Sequence, residues 1–72
     1  MNETKVFLID FLLAELINLI VQNKKVSFQD AIELLYNSKL YDKIMDIETG
    51  LYFQSADYNY ELLSEEMTFN KN

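Results

Sequence analysis

The chain has 72 residues, half of them hydrophobic, with five Tyr, five Phe and a formal net charge of −6. It is one domain at most, too apolar for disorder, and its solitary core is small, since a chain of this size buries only about 60% of the surface it exposes when unfolded. It has no His and no Cys, and its six basic residues are all Lys, which removes the commonest general base, thiol nucleophiles, thiolate metal sites and bidentate phosphate clamps.

With no Pro and one Gly, little in the chain breaks a helix, and strand-type alternation is nowhere sustained. An all-α domain of three to four helices follows, spanning residues 1–67, with 68–72 as a frayed tail. The first helix is expected from Glu3 to Gln22. Leu8, Ile9, Leu12, Leu13, Leu16, Ile17, Leu19 and Ile20 cover roughly half its circumference, and Phe7, Phe11 and Val21 fall among polar residues on the other half. A helix apolar nearly all round belongs at the centre of an assembly. A homo-oligomer, dimer or higher, is therefore expected, held through Phe7, Phe11, Leu12, Leu16, Leu19 and Ile20.

This apolar stretch is unlike a secretory signal or a membrane span, because Glu3 precedes it and Asp10, Glu15 and Asn18 interrupt it. Its polar face carries acids rather than the lysines of a membrane-surface helix. The expected location is cytoplasmic, away from membranes.

Lys24 and Lys25 suit the C-terminal dipole of the first helix, and Ser27 caps a second over residues 28–37, with Asp30 completing a variant capping box. Phe28, Ala31, Ile32 and Leu35 give it a buried stripe, widened by Leu34 and Tyr36. Asn37-Ser38 restarts the chain as a short helix over 39–46, with Leu40, Tyr41, Ile44 and Met45 inward. Whether the second and third helices form one kinked rod is left open by the pattern.

Thr49-Gly50 marks a turn, and Leu51, Tyr52 and Phe53 form an apolar cluster without helical period. Ser55 then caps a last helix over 56–67. Ala56, Tyr60, Leu63 and Met67 share its inner face, while Asp57, Glu61, Glu65 and Glu66 face water. The segment Leu51-Tyr52-Phe53-Gln54-Ser55 also matches the end of a protease-cleavage linker, but it lies between two amphipathic patterns and supplies the cap of the last helix, so it reads as native.

No catalytic or metal constellation emerges, and no enzyme activity or cofactor is expected. Asp46, Glu48 and Gly50 miss the spacing of a calcium loop, and Asp57 with Glu61 has neither a third ligand nor a pocket on a single helix. Tyr52, Tyr58 and Tyr60 with Phe53 form an aromatic cluster that suits an interface or simply closes the core. From Ile44 to Asn70 there are six acids and no Lys. That negative half argues against nucleic acid and for a basic protein partner, met by Tyr52, Phe53, Asp57, Tyr58, Tyr60, Glu61 and Glu65.

The stretch Leu34 to Tyr41, followed by Asp46, Glu48-Thr49-Gly50-Leu51-Tyr52, Ser55, Tyr58, Tyr60, Leu62-Leu63 and Glu65-Glu66, resembles a group of short uncharacterised bacterial proteins from Gram-positive and related genomes. The resemblance covers about the last two-thirds of the chain. Members tend to be encoded beside other short helical proteins and predicted ADP-ribosyltransferase-like toxins. What the resemblance implies is an antitoxin or accessory role, with a toxin as the protein partner. The alternatives are a small DNA-binding regulator of its own operon, for which Lys5, Lys24, Lys25, Lys39 and Lys43 would have to converge on one face of a dimer, a structural homo-oligomer, and a carboxylate protein binding metal or ligand.

Overall fold

The structure, a computed structural model, describes residues 2–69 and is all-α, with four helices. Helix α1 spans Glu3–Lys24, α2 Phe28–Tyr36, α3 Lys39–Met45 and α4 Ala56–Phe69. Two 3-10 turns, Ile47–Thr49 and Leu51–Phe53, link α3 to α4. The expected frayed tail falls partly on residues 70–72, outside the described ones, while Thr68 and Phe69 continue α4.

Each helix begins where a short polar side chain can take up a free N–H. Asn2 accepts from Lys5 N at 2.9 Å, Ser27 Oγ from Asp30 N at 3.0 Å, Ser38 Oγ from Tyr41 N at 3.0 Å and Ser55 Oγ from Tyr58 N at 3.0 Å. Helix α1 runs two residues past its expected end and stops at Lys25, which takes a left-handed conformation and donates its N–H to Val21 O. A side chain there costs about 1–2 kcal/mol that glycine would avoid. Helices α2 and α3 are separate: Asn37 and Ser38 interrupt them, and the Ser38 hydroxyl also donates to Leu35 O.

Ile9, Leu12, Leu13, Leu16, Ile17 and Ile20 of α1 meet Ala31 and Leu35 of α2, Leu40 and Ile44 of α3, Tyr52 of the Leu51–Phe53 turn and Leu63 of α4 in one core. The chain thus builds a core within a single copy. Three inward assignments change. Phe28 is 61% exposed at the first position of α2, Met45 lies outward at the last position of α3, and Tyr36 is exposed, with its ring stacked on Tyr41 at 4.6 Å. Terminal helical positions have neighbours on one side only, so helical spacing overstates their burial.

The two ends of the chain's second half are joined by Glu66. Expected to face water, it instead accepts from Lys39 N and Leu40 N, at 2.8 and 2.9 Å, through its two carboxylate oxygens, capping α3 from α4. A carboxylate at a helix N-terminus forms charge-assisted bonds and meets the positive end of the dipole. Glu66→Ala is expected to destabilise the fold by about 1–2 kcal/mol in urea denaturation. A change below about 0.5 kcal/mol, the scale of an ordinary surface residue, would show that the cap contributes nothing.

Candidate protein interface

Two surfaces account for the residues singled out in the sequence. The first is built around the 3-10 turns and α4. Gly50 adopts φ +69°, a left-handed conformation available to glycine at little cost, and this reverses the chain after Thr49. The Thr49 hydroxyl lies 2.6 Å from Lys43 O and 2.9 Å from Asp46 O, sharing its one proton between them, and so ties the turn back to α3. The Asp46 carboxylate accepts from Glu48 N at 3.1 Å, so this acid is occupied in shaping the turn.

Asn59 sets the turn against α4. Fully buried, it donates through Nδ2 to Leu51 O at 3.1 Å and to Ser55 O at 3.0 Å. Its Oδ1 is buried without a hydrogen-bond partner. Sequence reasoning passed over Asn59 because it is polar. The available signal was its spacing, since positions 56, 59 and 63 share the inner face of α4 at the i, i+3, i+7 rhythm.

This scaffold sorts the predicted partner-binding residues. Tyr52 is only 6% exposed and belongs to the core, which corrects its place at a partner surface; its ring packs against Phe53 with centroids 4.5 Å apart. Phe53, by contrast, is 70% exposed, and Tyr58 is exposed in the first turn of α4. Asp57, Glu61 and Glu65 lie in a row at i, i+4 and i+8 on the outer face, and Tyr60 is half-buried. The negative field is not uniform in space as it is in sequence. A shallow groove of about 270 Å³ places Lys39 and Lys43 of α3 beside Glu65, Glu66 and Phe69. The acidic row is therefore free of nearby lysine mainly at its Asp57–Glu61 end.

The second surface is the back of α1. Of the six residues assigned to self-association, Leu12, Leu16 and Ile20 are buried against the chain's own helices and Leu19 is half-buried. Phe7 and Phe11, 68% and 57% exposed, are the two that remain on the surface. The core face and this aromatic face lie on opposite sides of the helix.

Among the described residues no helix is long and apolar enough to cross a membrane. No protein-family model matches the chain, and neither a curated protein nor a solved structure is significantly similar to it. The class that fold and surfaces define is a four-helix domain in which, among the described residues, no charged side chain is buried.

Proposed function

We propose that this chain is a non-enzymatic protein–protein interaction module that binds a basic protein through the outer face of α4 and associates with itself through α1. The observation that carries the first part is the row Asp57, Glu61 and Glu65. Like charges at i, i+4 destabilise a helix by about 0.2–0.5 kcal/mol per pair, and no lysine of α4 offsets them. Tyr58 in the first turn of α4 and Phe53 in the turn before it are exposed and supply the aromatic component enriched at interface cores. A basic surface would relieve the repulsion and bury the rings.

In its biological form the reading is an antitoxin or accessory subunit of the cytoplasm that covers a basic site on a co-expressed partner, such as a toxin's nucleotide pocket. The resemblance of the last two-thirds of the chain to short proteins encoded beside predicted toxins supports it. Glu61→Lys tests the reading because it separates stability from recognition. The isolated variant is expected to melt about 4–8 °C higher, since exchanging two repulsions for two attractions is worth about 1 kcal/mol in sum. In affinity capture from the source organism it should lose the stoichiometric partner that the unaltered chain retains. Failure of the unaltered chain to capture any partner in equal amount, or undiminished capture by the variant, would count against the proposal.

A further inference from the structure

The exposed face of α1 has a finer pattern than two phenylalanines. Phe7, Phe11, Ala14 and Asn18, all exposed, recur at spacings of four, three and four residues, continued by Thr4 on one side and half-buried Val21 on the other. This is the spacing of a two-helix coiled-coil seam, on the side of α1 opposite Ile9, Leu12, Leu13, Leu16 and Ile20. Size and charge along the seam distinguish the two ways in which a second helix of the same sequence could lie on it.

In a parallel pair each residue meets its own copy. Phe7 would face Phe7 and Ala14 would face Ala14, giving a crowded layer followed by an empty one. The positions flanking the seam would bring Asp10 of each chain against Glu15 of the other, two like-charge contacts. In an antiparallel pair whose twofold axis passes between the levels of Leu12 and Leu13, Phe11 lies beside Ala14 and Phe7 beside Asn18, so each ring meets a smaller side chain, while Thr4 lies beside Val21 of similar size. The flanking positions then pair Glu3 of each chain with Lys24 of the other, and no like charges meet. The helix dipoles also oppose one another favourably.

We infer that the outer face of α1 is an interface with a second copy of this chain, lying antiparallel in the register that seats Phe7 beside Asn18. The inference rests on the reading that the chain self-associates through α1, and it adds the occupant, orientation and register. The absence of native Cys makes the test direct. Phe7→Cys and Asn18→Cys proteins, each checked for helicity, are mixed and mildly oxidised. The expected product is the mixed disulfide, formed at least tenfold faster than the disulfide of either variant alone. Spin labels on Lys24→Cys should lie about 35 Å apart, the rise of 23 residues along antiparallel helices, rather than the 10 Å or so of a parallel pair. Rapid disulfide formation by Asn18→Cys alone, or the short label distance, would overturn the antiparallel register while leaving self-association in place. A monomeric mass for the unaltered chain would overturn both.

Discussion

Truncating Leu16 to alanine is expected to remove about 3 kcal/mol of folding free energy, lowering the melting temperature by roughly 10–20 °C. The side chain is fully buried at the middle of the core face of α1, where its neighbours come from the same chain. The loss combines the hydrophobic transfer of the deleted methyl groups with the cavity left behind. A domain of this length has only some 5 kcal/mol to lose, so the variant stands close to unfolding at physiological temperature. Phe11→Ala, by contrast, removes a larger side chain from an exposed position and should change the stability of the single chain by less than about 0.5 kcal/mol. Urea denaturation at low concentration measures both. Equal losses would mean that α1 lacks one inner and one outer face.

Asn59→Asp should be costlier still, about 4 kcal/mol at neutral pH, despite an almost unchanged shape. The substitution replaces an amide that donates to Leu51 O and Ser55 O with oxygens that can only accept, and places a charge where the native side chain is fully buried. Burial raises the folded carboxyl's pKa above its value of about 3.9 in the unfolded chain. The penalty is then absent below the unfolded value and grows as pH rises toward the folded one. Stability of the variant relative to the unaltered protein should therefore recover on acidification to about pH 4, where a protonated carboxyl regains one donor. A variant as stable as the parent at pH 7 would mean that Asn59 does not hold the Leu51–Phe53 turn to α4.

Much of the fold was legible because it is local. Ser27, Ser38 and Ser55 announced three helix starts, Gly50 the turn, and the 3.6-residue rhythm of α1 its inner face. What escaped depends on distance along the chain or on chemistry that hydropathy does not record. Glu66 caps α3 across 27 residues, a relation invisible to any local window. Asn59 is interior because two carbonyls need its amide, and Tyr52 is interior because the 3-10 turn rotates it inward while leaving Phe53 outside. Of the candidate surfaces, the sequence showed which residues carry charge and aromatic rings, but the split of α1 into an occupied and an unoccupied face required the placement of the other helices.

That unoccupied face is where the central claim, that the chain acts by association, is most directly tested. Sedimentation velocity at tens of micromolar should give a single species of twice 8.5 kDa for the unaltered chain. The double variant Phe7→Asp, Phe11→Asp should sediment at 8.5 kDa with its helicity intact. A compact 8.5 kDa species for the unaltered chain would contradict the account.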